Sequence, residues 1–394
     1  MTRNDRSRTL SRRGVLKAAG LAGLSGLAGC LAPSDTGSGG ANAATPTATP
    51  TTGENAWDGD PTSVETDHDY TGSPQVVDLD EQDGQVTIRT VPCRHELVGA
   101  EAKGEPLELP EVWAFQADDR EPSVPGPTLR VTEGTTMEVT FENTAHNRPH
   151  TLHMHGIRKD WEDDGVPSTT GITVGPGETH TYELEANVPG THFYHCHFQT
   201  DTHLDLGMYG ILRVDPKDYE EPDREYFMTV KEWDTRLSAM TAGADVEYST
   251  EDRDPDEYTI NGRAAPTTFH PEKGTPIVVS EDDDVRVHMV NAGYINHAMH
   301  PHNHRSTLVA KDGGTIPEAS RHKEDVFDVA PAQRYTIDFP ADADPGIYPF
   351  HCHRVNHALT DGQYPGGMLT GIAYESEMDS EEFASLMDAA GYEG

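Results

Sequence analysis

Basic residues are few: 29 Lys and Arg face 68 Asp and Glu in a chain of 394, a formal net charge of −39. Like charges repel, so this balance excludes nucleic acid and an anionic membrane surface as partners. It suits concentrated salt, where screening makes self-repulsion tolerable, and it predicts a halophilic source. Cysteine is scarcer still. Cys30, Cys93, Cys196 and Cys352 are all there are, which is too few for a disulfide scaffold. The one apolar stretch near the N-terminus is too short and too rich in glycine for a good membrane-spanning helix. Long helical periodicity is scarce until Ser380, where Phe383, Leu386 and Met387 mark one side of a short amphipathic tail.

What is present starts at the N-terminus. Ser11-Arg12-Arg13-Gly14-Val15-Leu16-Lys17 resembles a twin-arginine export signal, which carries folded proteins across a membrane. Leu27-Ala28-Gly29-Cys30 resembles a lipobox, in which Cys30 takes a lipid anchor. An ordinary cleaved signal with a chance cysteine is the alternative. Residues 1–30 therefore read as the signal and 31–65, rich in Thr, Pro, Ser, Gly and Ala, as a flexible linker. The protein is expected outside the cell, secreted or on the outer face of the membrane.

Beyond the linker, short segments alternate apolar and polar residues between Pro and Gly turns. Gln85–Thr90, Thr136–Phe141, Ile277–Val279, Asp284–Val290 and Arg334–Phe339 all read as strands. This predicts an all-β fold of sandwich type. The polar stretch from Asp215 to Pro222 places a boundary near 216–226, giving domains over 66–218 and 219–376 and a helical tail over 377–394. Each half follows the same plan. His150–His155, Pro189-Gly190 and His195–His197 in the first answer to His297–His302, Pro345-Gly346 and His351–His353 in the second. Cys93 is left over and reads as a buried or half-buried thiol without a role.

The histidine spacing has a geometric meaning. Side chains alternate faces along a strand, so His153 and His155 share a face and His150 takes the other. His300 and His302 are set apart from His297 in the same way. In His195-Cys196-His197 and His351-Cys352-His353 the imidazoles share one face and the thiol lies opposite. Each half thus offers one face with four imidazoles and another with a cysteine and a histidine. His203 and Met208 follow Cys196, and His357 and Met368 follow Cys352. Two histidines, a thiolate and a weak axial methionine form a trigonal blue-copper site, so each half can build one. The first uses His150, Cys196, His203 and Met208; the second uses His297, Cys352, His357 and Met368. The remaining eight histidines exceed the needs of any single metal, but suit three coppers shared between two domains. Such a cluster can take dioxygen to water with four electrons.

On these motifs the sequence resembles the two-domain, laccase-like multicopper oxidases, over roughly residues 85–376. His153-Met154-His155-Gly156 and His300-Pro301-His302 are similar to the family's paired cluster motifs, and Val124–Gly134 to a strand and turn early in its first domain. The resemblance implies two tandem cupredoxin-like Greek-key sandwiches. It implies type 2 copper on His153 and His300. It implies a type 3 pair on His155, His195, His197, His302, His351 and His353. Electrons would pass from each thiolate through its flanking histidines. Asp164 matches an acid that could hand protons to reduced oxygen; a plain turn aspartate before Gly165 is the other reading. With two domains per chain, the resemblance implies a head-to-tail homotrimer.

Three departures stand out. Cys196 and His203 are seven residues apart rather than five; Ala358–Gly367 is an insertion before Met368; and Asn356 lies where some relatives keep a carboxylate. His304 follows the cluster parity but has no matching partner. The electron donor stays open among phenols, amines and metal ions such as Cu(I), Fe(II) or Mn(II). A copper nitrite reductase or a non-catalytic blue-copper electron carrier are the alternative functions. Neither needs both a sulfur site in each half and eight further histidines.

Overall fold

The computed structural model describes residues 70–389 except residue 145, so the signal and linker expected over 1–65 lie outside the described residues. Strands of the first half are β1 (Val76–Asp78), β2 (Gln85–Val98), β3 (Leu107–Ala117), β4 (Thr128–Thr132), β5 (Thr136–Glu142), β6 (His153–Met154), β7 (Thr179–Glu185), β8 (Gly190–His195) and β9 (Tyr209–Asp215). Those of the second are β10 (Arg224–Trp233), β11 (Glu257–Ile260), β12 (Ile277–Val279), β13 (Asp284–Asn291), β14 (His297–Pro301), β15 (Ser306–Lys311), β16 (Gly314–Thr315), β17 (Lys323–Glu324), β18 (Phe327–Val329), β19 (Arg334–Pro340), β20 (Ile347–Cys352) and β21 (Leu369–Tyr374).

Alternation drives strand formation. In β5 the side chains of Met137, Val139 and Phe141 are buried while Thr136 and Glu138 face water. β9 is buried along its whole length, as a strand covered on both faces must be. The first half has one sheet ordered β3-β2-β5-β7 and one ordered β1-β4-β9-β8-β6. The second has β11-β10-β13-β19-β15-β16, with β17 also on β15, and β12-β21-β20-β14-β18. Among the described residues no strand pairing joins strands up to β9 with those from β10 onward. The all-β expectation, two tandem cupredoxin-like sandwiches, is what the chain forms.

Two pairings place the histidines. Between β6 and β8, His153 lies opposite His195; between β14 and β20, His300 lies opposite His351 and Met299 opposite Cys352. The two halves thus bring matching motifs into matching register. They pack on one another through a core in which Leu97, Val112, Phe193 and Tyr209 meet Trp233, Ala264 and Val290. Backbone and side-chain bonds cross the same seam, Ala264 N donating to Leu97 O at 2.9 Å and His95 Nε2 meeting Gly262 O at 2.7 Å. Cys93 is buried in β2 on this seam. The tail forms a helix over Glu381–Ala389, with Phe383 buried against Ala265, Phe269 and Ala373.

Candidate metal centres

The sulfur triangles come first. His150, Cys196 and His203 are fully buried, with His150 Nδ1 3.1 Å from His203 Nδ1 and Cys196 Sγ 3.8 and 3.3 Å from those two atoms. His297, Cys352 and His357 repeat this, with 3.1 Å between the Nδ1 atoms and 3.4 Å from Cys352 Sγ to His357 Nδ1. In each triangle all three donor atoms lie within 4.8 Å of one another. Both methionines are fully buried and held alike. Cys196 N donates to Met208 O and Met208 N to His203 O; Cys352 N donates to Met368 O and Met368 N to His357 O.

The unusual loops are absorbed locally. A helical turn over Thr200–His203 takes up the extra residues between Cys196 and His203. The insertion before Met368 closes on itself through Thr360, which donates to Ala265 O at 2.8 Å and accepts from Gly367 N at 2.7 Å. Its tip, Asp361-Gly362, takes positive φ and is exposed, so the loop projects outward and leaves Met368 inside.

The imidazole faces lie on the other side of the same strands. His155 Nε2 meets His195 Nε2 at 2.9 Å, and His302 Nε2 meets His351 Nε2 at 3.0 Å. The rings of His153 and His197 are 5.2 Å apart, and those of His300 and His353 5.5 Å. Donor atoms of His153, His155 and His195 lie within 4.8 Å of one another. Backbone carbonyls occupy Nδ1 of His153, His195, His300 and His351. His195 Nδ1 is 2.9 Å from Cys196 O and His351 Nδ1 3.0 Å from Cys352 O. His153 Nδ1 is 2.6 Å from Asp164 O, and His300 Nδ1 bonds to Asp325 O. Such bonds fix the tautomer and leave Nε2 with its lone pair for a metal. Asp164 also places Oδ1 3.4 Å from His153 Nδ1 and 3.3 Å from Lys159 Nζ, so the candidate acid stands at this face.

Burial disfavours the charged form of several of these side chains. It lowers His195 and His203 to about 3 and His357 to about 4, with neighbouring charges adding to it. His150 is pushed well below its ordinary value by burial and then by His203. Burial also raises the Cys196 thiol to about 12, and Cys352 upward. A thiol so placed becomes a thiolate only against a cation, and neutral imidazoles can bind one without first losing a proton. The donor set and its convergence fit copper.

Several contacts around the ligands were not foreseen. His150 Nε2 bonds to His146 Nδ1 at 2.7 Å, whereas His297 Nε2 bonds to Glu232 Oε2 at 2.7 Å with both side chains fully buried. Trp113 packs edge-on to His203, and Tyr258 stacks on His357 at 4.3 Å. His304, set aside because the first half has no counterpart to it, is buried and bonded to His302 O and Tyr374 Oη at 2.9 Å each, a support for the cluster segment. His146 stands four residues before a ligand and was open to notice; Glu232, 65 residues before His297, carries no local signal.

Sequence comparison agrees with this geometry. Multicopper oxidase family models match residues 119–219 and 243–361, together more than half of the chain. The chain belongs to the multicopper oxidase family. Laccase-2 of Thanatephorus cucumeris is 28% identical over 246 residues, 57% of this chain and 40% of that protein. The chain spans about half or less of the length of the curated relatives it matches. Among solved structures, a blue copper oxidase from Nitrosomonas europaea superposes with a TM-score of 0.63 and 28% identity, over 80% of this chain and 88% of that one. A copper nitrite reductase from Nitrosomonas europaea gives 0.58 and 25%, over 74% and 94%. This multicopper oxidase therefore shares its fold with enzymes of more than one copper chemistry.

Proposed function

We propose that the chain is an exported oxidase that withdraws electrons singly from a small reducing substrate (a phenol, an amine or a metal ion) and passes four to dioxygen, yielding water. One observation carries this reading. Cys196 and Cys352 each point into a buried sulfur triangle while their chain neighbours, His195 with His197 and His351 with His353, point to the opposite face. The peptide links between them are the shortest covalent connection from one face to the other.

In this reading His150, Cys196, His203 and Met208 hold one type 1 copper, and His297, Cys352, His357 and Met368 another. His153 and His300 hold type 2 copper. His155, His195, His197, His302, His351 and His353 hold the type 3 pair. Bound copper supplies one-electron redox chemistry at the triangles and oxygen reduction at the cluster. The residues do the rest. Carbonyl bonds orient His153, His195, His300 and His351, the apolar core excludes water from the thiols, and Asp164 holds a proton acceptor beside His153. The two domains are taken as 66–218 and 219–376.

The two imidazole faces of one chain make no ring contact or hydrogen bond with each other among the described residues. Each face also keeps partly open rings, His353 being exposed. A complete cluster then requires the first-half face of one copy against the second-half face of the next, closing as a homotrimer. Export rests on Arg12-Arg13, and a lipid anchor on Cys30.

Copper content with an absorption spectrum tests the reading on purified protein in high salt. About five coppers per chain with intense thiolate-to-copper absorption and oxygen uptake is the expected result. About two per chain with oxygen left unreduced would instead favour the nitrite reductase chemistry found among the structural neighbours. An active, copper-loaded monomer by sedimentation would overturn the trimer.

A further inference from the structure

The two sulfur triangles match in ligands, register and distances, yet differ in what stands behind the first histidine. Behind His150 it is the buried ring of His146, whose Nδ1 stands 2.7 Å from His150 Nε2 and accepts the proton of that nitrogen when His150 Nδ1 binds a metal. Behind His297 it is the Glu232 carboxylate. Glu232 is held from several sides, because Oε2 accepts from His297 Nε2 while Oε1 accepts from the Tyr294 and Ile295 amides. A Cβ at Gly293 would overlap the carboxylate, so a glycine is needed for it to fit. Lys231, the preceding residue on β10, pairs its ammonium with Asp205 Oδ1 at 3.1 Å, and its charge also acts on Glu232 without bonding to it. No basic side chain bonds to Glu232 among the described residues, apart from His297 itself.

A histidine that binds a metal through Nδ1 donates its Nε2 proton to the group behind it. An anionic acceptor draws that proton more strongly than a neutral one, makes the ligand more basic, and favours the more highly charged metal ion. Low surrounding polarity strengthens the effect. We propose that Glu232 is a positioning residue that sets the two sites apart, holding the second-half copper at a lower reduction potential than the first-half copper. The first-half site is then the stronger oxidant of the two. This inference rests on the two-site copper reading above.

The test follows the thiolate-to-copper band in spectroelectrochemical titrations of copper-loaded protein. Cys196→Ser isolates the second-half site and Cys352→Ser the first. In the Cys196→Ser background, Glu232→Gln should raise the midpoint and weaken Cu(II) retention against a chelator by about 10- to 100-fold, and Glu232→Asp should recover part of both. In the Cys352→Ser background the same Glu232 changes should leave the midpoint in place. His146→Glu, which puts a carboxylate behind His150, should lower the first-half midpoint, and it stands as the deciding variant if Glu232→Gln does not fold. A normal blue band with an unmoved midpoint in the deciding variant overturns the inference alone. A wild-type protein without thiolate-to-copper absorption overturns the copper reading and this inference together.

Discussion

At the residue scale each cysteine serves one triangle. Cys352 Sγ bonds only within the second half, so Cys352→Ser should remove one thiolate-to-copper absorption and leave that of Cys196. The spectrum of the copper-loaded variant checks this, and loss of both bands would mean the sites are not independent. His302 tests the other face. Its Nε2 pairs with His351 Nε2 and makes no bond to the sulfur triangle, so His302→Ala should keep both blue bands. Oxygen consumption should fall about 100-fold, because a cluster missing one imidazole cannot be completed by its neighbours. Retained turnover would show that the cluster assignment is wrong.

Among the elements, the insertion over 358–367 shows how a family pattern tolerates added length. The loop leaves the fold after His357 and returns at Met368, and Thr360 ties its base by donating to Ala265 O and accepting from Gly367 N. Extra residues between such anchors cost little, since closure entropy grows slowly with loop length. The tie itself matters more. Thr360→Val keeps the side-chain shape but strands a buried carbonyl and a buried amide, a loss of about 2 to 4 kcal/mol. Denaturant unfolding of the copper-free variant should show it, with the blue band of the Cys352 site shifted as Met368 loosens. The Cys196 band should stay unchanged, because its loop is a separate helical turn over Thr200–His203.

Across the whole molecule, buried neutral histidines at the seam between the halves couple stability to pH. His288 is fully buried and lowered to about 4, by burial first, while it bonds to Glu225, Thr191 and Thr336. In the unfolded chain the same ring titrates near 6.5. Its folded pKa is the lower one, so the unfolded state binds more protons between those values and stability falls with pH there. The loss begins below about 6.5 and is complete near 4, amounting to ~3 kcal/mol for this residue. Thermal unfolding of the copper-free protein across that window should follow this sign, and His288→Asn should flatten the slope. The net charge of −39 adds a second dependence. Added salt should raise the melting temperature until the carboxylates are screened; a flat response would remove the argument for a saline habitat.

The sequence by itself determined the strand class, the duplication and which donor side chains share a face. Strand periodicity is local, so His153 with His155, and Cys196 against His195 and His197, separate onto faces without any knowledge of the fold. Soft sulfur and imidazole in a fixed order then select copper from the same local pattern. Met368 reads as the counterpart of Met208 despite the insertion, because Gly367-Met368 enters a strand as Gly207-Met208 does, and the two are buried and held alike. What only the tertiary structure decided are contacts between residues remote in the chain. Glu232 reaches His297 because β10 passes beneath the β13–β14 turn, and Tyr258 stacks on His357 because β11 lies beside it. The carbonyls of Asp164 and Asp325 find His153 and His300 in the same way. Local spacing specifies which donors a chain can offer. Packing alone specifies which charge lies behind each donor, and here it makes two sites with the same ligands unequal.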